Sequence, residues 1–79
     1  MEYTPRLTTI MEMAEREATE RGIGRIGVEH VALAILVEGV SVPAQVIDAV
    51  CGTDPVLHRL REVLDSDGYR GIRPEHEGP

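Results

Sequence analysis

One run of apolar residues dominates the pattern of hydrophobic and polar positions along the chain. The seven residues from Val31 to Val37 are all apolar, so two turns of a helix would show no polar face. The period of so short a run does not separate a buried strand from a buried helix. Its composition favours a helix, because alanine and leucine have high helix propensity. Glu29 suits the positive end of a helix dipole, and Gly39 suits the left-handed position after the last turn. We therefore predict a central helix over residues 28–38, covered on nearly all sides.

A second periodic segment comes before that run and predicts the first helix. Thr4 is a suitable N-cap residue, and Pro5 suits the first helical position because its missing N–H would have no partner there. Apolar residues then recur at helical spacing: Leu7, Ile10, Met11, Ala14 and Ala18. The opposite face is rich in Glu and Arg, which indicates a solvated surface, and the two alanines leave room for another helix to approach closely.

Three glycines between these two helices, Gly22, Gly24 and Gly27, could suggest a phosphate-binding loop. The order differs from both nucleotide-binding glycine motifs, since no strand precedes these glycines and no Gly-Lys-Ser/Thr follows them. We therefore predict a helix end and a tight turn, with Ile23 and Ile26 directed inward.

Two shorter helices are predicted after the central one. Ser41 is a suitable N-cap for the third helix, and Asp54 followed by Pro55 suits the start of the fourth. The predicted buried face of the third helix is Ala44, Val46, Ile47 and Val50; that of the fourth is Val56, Leu57, Leu60, Val63 and Leu64. Because no segment alternates like a strand, the prediction is an all-α domain over residues 1–66, followed by a flexible C-terminal tail over residues 67–79.

The composition limits the size of the core. A chain of 79 residues forms one small domain and buries only about 60–65% of the surface that its unfolded state exposes. It contains no Phe, no Trp and two Tyr, so aliphatic side chains must do the packing. This thin core favours association, for example with a second copy.

Charge and cysteine content exclude several classes of function. The net charge of −6 and the pI near 4.9 argue against a nucleic-acid partner, which would require a basic patch. The single Cys51 excludes an internal disulfide and fits a reducing compartment. No apolar run reaches the ~18 residues that span a bilayer, and the N-terminus does not resemble a signal peptide. We expect a soluble, cytoplasmic protein without a membrane partner.

The residues that carry chemistry are scattered. His30, His58 and His76 lack Cys or carboxylate partners at the spacing of metal ligands, so we expect no metal and no cofactor. Cys51 ends a helix among packing residues, which indicates a structural role. The carboxylates form no pair that the sequence identifies as acid–base machinery, and we predict that the protein is not an enzyme.

Two predicted helix starts offer a binding site of a different kind. Thr4 and Glu29 both stand at helix N-termini, where backbone N–H groups bind anions without a cationic side chain. A carboxylate beside such a site would select a ligand that carries a cation next to its anion. The general alternative is that Thr4 only caps its helix and Glu29 only complements a dipole.

Several short motifs together resemble a known family. They are Tyr-Thr-Pro-Arg at 3–6, Ile-Gly-Val-Glu-His at 26–30 and Glu-Gly at 38–39, with Ala14, Ala18, Leu33, Leu36, Ala44, Val46, Ile47, Leu60, Arg61, Val63 and Leu64 at fitting positions. Over about residues 3–66 the chain resembles one repeat of the Clp N-terminal (Clp R) domain of Clp unfoldases such as ClpC and ClpA. The resemblance implies a four- or five-helix unit, with one repeat instead of the usual two.

The resemblance also implies a binding function. The usual domain, with two repeats in pseudo-two-fold arrangement, receives substrates and adaptor proteins, and in ClpC-type members it binds phosphorylated arginine. The positions that contact phosphoarginine there fall on Thr4 and Glu29 of this sequence. Tyr3 matches an aromatic residue near a surface used by peptide antibiotics, and Arg6 completes the opening motif. The resemblance thus implies a ligand site of Thr4, Glu29, Tyr3 and Arg6.

Two departures from the family pattern shape the functional hypotheses. Val28 replaces the usual Thr of Gly-Thr-Glu-His, which would remove a side-chain cap worth about 1 kcal/mol unless a neighbouring group substitutes for it. The sequence also lacks a second repeat and a Walker motif. We therefore expect a stand-alone adaptor or decoy in Clp-dependent proteolysis, which binds adaptors, degradation-marked substrates or Clp-directed antibiotics and pairs with a second copy. The alternatives are a structural dimerisation module that has lost the ligand site, or a fragment of a longer Clp protein.

Overall fold

Four helices follow one another along the chain, and no strand occurs among residues 1–69, the part that the computed structural model describes. Their bounds are α1 Pro5–Glu20, α2 Val28–Glu38, α3 Val42–Val50 and α4 Thr53–Leu64. The all-α prediction is confirmed, and α2 has the predicted bounds.

Two helices begin at the caps that the sequence supplies. The Thr4 hydroxyl accepts a hydrogen bond from the Leu7 N–H at 3.1 Å, with Pro5 at the start of α1. The Ser41 hydroxyl accepts one from the Ala44 N–H at 3.4 Å at the start of α3. Both predicted caps are confirmed.

The predicted start of α4 is wrong by two residues. Its N-cap is Gly52, whose φ of 84° lies in the left-handed region that favours glycine, and Thr53 is the first helical residue. Asp54 therefore lies in the first turn, where its carboxylate complements the helix dipole instead of capping the backbone.

The start of α2 also differs from expectation, because a histidine ring three residues into the helix binds the N–H of the N-cap residue. The N-cap is Gly27, and its N–H donates to Nδ1 of His30 at 2.8 Å, while the His30 N–H donates back to the Gly27 carbonyl. Nδ1 of the ring is the acceptor of this hydrogen bond. Val28 is the first helical residue and is 85% exposed, so it removes no cap. The predicted loss of a capping group at Val28 is therefore wrong.

The core lies where α1 packs against α2. Ile10, Ala14 and Ala34 form its central cluster, and both alanines have no exposed surface. Small side chains let the two helices approach closely, as the spacing of alanines in α1 predicted. The largest fully buried side chains are those of Leu33, Leu64 and His30.

Polar contacts fix both ends of the α1–α2 pair. At one end the Arg6 guanidinium donates to the Glu38 carboxylate, which shows that the start of α1 lies beside the end of α2. The same carboxylate accepts from the Val40 and Ser41 N–H groups, at 3.0 Å each, and so holds the turn into α3. The two helices are therefore antiparallel.

At the other end, Arg21 connects α1 to the last turn of α4. Its guanidinium donates to Glu17 at 2.7 Å and to Asp65 at 3.0 Å. Burial alone would lower the pKa of Arg21, but the two carboxylates outweigh it and raise the pKa above its ordinary value. This contact anchors α4 although α4 itself buries only Leu64 completely.

Several predicted core residues are exposed. Ile26 in the loop before α2 is 41% exposed, whereas Ile23 is buried as predicted. On α3, Val46 and Val50 are 56% and 79% exposed, so the predicted buried face is wrong there. α2 is not covered on all sides either, because α3 and α4 leave Ala32 open to solvent. These residues were predicted to be buried because an apolar pattern shows which face of a segment is hydrophobic. The pattern does not show whether another element covers that face.

The predicted tail over residues 67–79 falls mostly outside the described residues. Its first three residues, from Asp67 to Tyr69, are helical, and residues 70–79 lie beyond the part of the chain that the structure describes.

We searched the same part of the chain for membrane spans. No single helix among the described residues has both the length and the apolarity to cross a membrane; only α2 and α3 taken together pass that test, and they are bent by 74° at their break.

We predict that His30 stabilises the fold by filling the core and capping α2. His30→Ala should lower the free energy of unfolding by about 2–4 kcal/mol, because it removes a buried ring and the acceptor of the Gly27 N–H. Denaturant unfolding followed by circular dichroism measures this. His58→Ala, on an exposed side chain of α4, is the matched control and should change stability by less than about 0.5 kcal/mol. Equal losses in the two variants would contradict the assigned role.

We also predict a pH-dependent contribution from Glu38. Desolvation raises its pKa, but hydrogen bonds from Val40, Arg6 and Ser41 outweigh it, and the net pKa lies below the ordinary value. Because the folded-state pKa is lower than that of the unfolded chain, the ionised group stabilises the fold at neutral pH. This contribution is lost as the pH falls below about 4.3 and through the folded-state pKa. Glu38→Gln should therefore be less stable than wild type at pH 7.

The difference in unfolding free energy between Glu38→Gln and wild type should shrink as the pH falls through this range. Urea unfolding at a series of pH values measures the difference. The control is Glu15→Gln, an exposed glutamate of α1. If the difference in unfolding free energy between Glu38→Gln and wild type stays constant with pH, the charge of Glu38 does not contribute to stability.

Candidate functional site

The four predicted ligand residues occupy two separate places. Three of them surround the start of α1, where Thr4 caps the helix and Tyr3 is 74% exposed. Arg6 lies in the first turn of α1 and is held by Glu38, with half of its own side chain still exposed. This end of the molecule thus presents a helix N-terminus, an aromatic ring and a guanidinium.

The fourth residue, Glu29, lies in the first turn of α2 and is half-buried. Its carboxylate accepts a hydrogen bond from the Tyr69 hydroxyl. The carboxylate also lies against Gly27, where an added Cβ would come within 2.6 Å of a Glu29 oxygen. Glycine at this position therefore leaves the space that the Glu29 side chain occupies.

No pattern in the sequence indicates the Tyr69 contact. Tyr69 is 40 residues from Glu29 along the chain and lies in a segment without periodicity. Only the fold brings the end of the described chain back to the start of α2.

Thr4 and Glu29 do not lie together in one chain. Glu29 is nine residues before Glu38 in α2, or about 13 Å along the axis at 1.5 Å per residue. Glu38 contacts Arg6 at the start of α1, so Thr4 belongs to the opposite end of the helix pair. Within one copy, Thr4 and Glu29 are therefore too far apart to contact the same arginine-sized ligand.

A groove between α2, α3 and α4 is a further candidate site. Its volume is about 640 Å³, and its lining is apolar except for Arg59, the one charged residue among those described that line it. We call it the apolar groove; the residues that line it are Ala32, Ile35, Leu36, Pro43, Ile47, Cys51, Pro55, Val56, Arg59, Leu60 and Val63. The exposed Cys51 lies here, and its predicted structural role stays a prediction.

A row of valines on α3 borders the groove. Val42, Val46 and Val50 recur every four residues, so they share one face of the helix, and each is more than half exposed. We call this row the valine crest. Only Gln45 and Asp48 are polar among the nine residues of α3, a pattern that fits a buried helix as well as an exposed row.

The described residues contain no group of three or more His, Cys, Asp or Glu side chains placed to hold a metal ion. What this part of the chain offers is two polar helix ends and one apolar surface.

Comparison with known proteins relates the chain to Clp chaperones. It is 40% identical over 61 residues to the chloroplast chaperone protein ClpC of Pisum sativum, a match that covers 77% of this chain and 6% of that protein. The chloroplast chaperone protein ClpC2 of Oryza sativa subsp. japonica is 40% identical over 72 residues, 84% of this chain and 8% of that protein. A chloroplast Clp protease ATP-binding subunit ClpA homolog of Brassica napus is 40% identical over 53 residues, 67% of this chain and 6% of that protein.

No protein-family model matches the chain, and no solved structure matches it at a significant level. The chain spans less than a tenth of the length of the curated relatives that it matches. That it is a single Clp N-terminal repeat stays a prediction. Its relationship to part of these proteins is confirmed: the chain is a small all-helical segment related to ClpC and ClpA chaperones.

Proposed function

We propose that the protein is a non-catalytic binding module of the Clp proteolysis system. It acts as an adaptor or decoy that binds adaptors, degradation-marked substrates, Clp-directed peptide antibiotics or a Clp ATPase in the cytoplasm. The observation that carries the proposal is the 40% identity over most of the chain to ClpC chaperones and to a Clp protease ATP-binding subunit.

The proposed degradation mark is phosphoarginine. Its phosphate would bind the N-terminus of α1 at Thr4, where the helix dipole favours an anion and Arg6 adds positive charge. Its guanidinium would bind the Glu29 carboxylate, an acceptor suited to paired N–H donors. Tyr3, exposed beside Thr4, would contact the rest of the peptide.

This division of tasks requires two copies of the chain. Because Thr4 and Glu29 lie at opposite ends of the α1–α2 pair, a complete site would take Thr4 from one copy and Glu29 from the other. A symmetric dimer would form two such sites. The small core, with nine buried hydrophobic residues in the described part of the chain and no Phe or Trp in the sequence, also supports pairing.

A second candidate function is a structural dimerisation module that does not bind the mark. The valine crest favours this alternative, since an exposed apolar row on a polar protein marks a protein contact. Under this alternative Thr4 and Glu29 have only their helix-end roles.

A titration with a phosphoarginine peptide distinguishes the two functions. We expect binding to the wild-type protein and a loss of about 10- to 100-fold in affinity for Glu29→Gln, the effect of removing a charge-assisted hydrogen bond. Glutamine keeps an oxygen that accepts from the Tyr69 hydroxyl, so the variant should stay folded. Isothermal titration calorimetry gives both affinities.

The matched control is Glu12→Gln, on the exposed face of α1, which should bind like wild type. The same peptide with unmodified arginine should not bind. Absence of wild-type binding, or equal binding of the unmodified peptide, would overturn the phosphoarginine proposal and favour the dimerisation module.

A further inference from the structure

α3 is too apolar for its surroundings. Seven of its nine residues are apolar, yet only Ala44 is buried. A helix that is apolar on nearly all sides is expected where other elements cover it all round. Here α2 and α4 cover one side, and the valine crest on the other side faces solvent.

The crest and the apolar groove form one continuous surface. At 100° per residue, Pro43 and Ile47, which line the groove, are adjacent on the helix to Val46 and Val50 of the crest. A convex row of side chains thus lies directly beside a concave apolar groove. A two-fold symmetric interface requires that combination, because each copy must offer the complement of its own surface.

The distribution of charge supports a second copy as the occupant. Each chain carries a net charge of −6, so two copies repel each other unless they meet where charge is low. α1 carries four glutamates between Glu12 and Glu20 and contributes nothing to the groove. The crest carries no charge, and Arg59 is the one charge that lines the groove among the residues described. When the valine crest of one copy enters the apolar groove of another, these two surfaces therefore bring no like charges together.

We infer, on the basis of the proposed pairing of two copies, that this surface is where the copies pair. The valine crest of each copy enters the apolar groove of the other, and the two α3 helices lie next to the symmetry axis. The pairing closes the open side of α2 and covers Cys51.

Sedimentation equilibrium of the full chain from low to high micromolar concentration tests the inference. The wild-type mass should rise toward that of a dimer, and Val46→Glu should weaken association at least tenfold by placing a charge in the interface. Val46 is more than half exposed, so the variant should keep the helix content and melting temperature of wild type. Thr9→Glu adds the same charge to an exposed site of α1 and should associate like wild type.

Cys51 supplies an independent readout. It is exposed in the single chain and lines the groove, so its rate of reaction with a maleimide should fall as wild-type concentration rises. In Val46→Glu the rate should stay constant over the same range. Added salt should strengthen the wild-type dimer, because screening reduces the repulsion between two acidic chains.

The outcomes separate the surface from the proposed function. A wild-type chain that stays monomeric overturns both the pairing and the surface. A dimer that Val46→Glu leaves intact, with Cys51 unprotected, overturns the surface alone. Phosphoarginine binding in the calorimetric experiment is measured separately, so its failure is not confused with either result.

Discussion

The close contact between α1 and α2 is the interaction on which the rest of the structure depends. The chain has no Phe or Trp to fill a wide core. Its two core-forming helices, α1 and α2, must therefore meet closely. Ala14 and Ala34 make that possible, and neither retains any exposed surface. Close approach increases the number of dispersion contacts, each of them small, that hold the pair together. The other two helices, α3 and α4, pack against this pair.

Polar contacts at the two ends of this pair hold α3 and α4 in position. Glu38 accepts hydrogen bonds from α1 and from the turn into α3, while Arg21 donates to Asp65 after α4. Because these contacts orient α1 and α2 antiparallel, they also separate Thr4 from Glu29. The geometry that stabilises one chain is thus the reason that a composite ligand site needs two.

Features set by neighbouring residues were predictable from the sequence. The caps at Thr4 and Ser41 and the left-handed Gly39 depend on contacts within a few residues, and all three agree with expectation. The contact at the start of α2 was missed because a histidine ring fills the role that a capping box assigns to Glu or Gln at the third helical position.

Features set by distant residues were not predictable. The apolar pattern of α3 fits a buried helix equally well whether or not anything covers it, so the exposure of Val46 and Val50 had no signal of its own. The Tyr69–Glu29 contact depends on how four helices bring the two residues together. The four candidate site residues could therefore be proposed one by one from the sequence, while the position of Thr4 and Glu29 at two ends of the α1–α2 pair came only from the fold.

The corner between α2 and α3 has a consequence for binding strength. Gly39 in the left-handed conformation and the two N–H groups bound by Glu38 fix the bend of 74° through the backbone itself. The angle between α2 and α3, two of the three helices that form the apolar groove, is thus held by residues of the corner and not by residues that line the groove. A molecule that enters the groove meets two walls whose angle is already set, so less of its binding free energy is needed to order them.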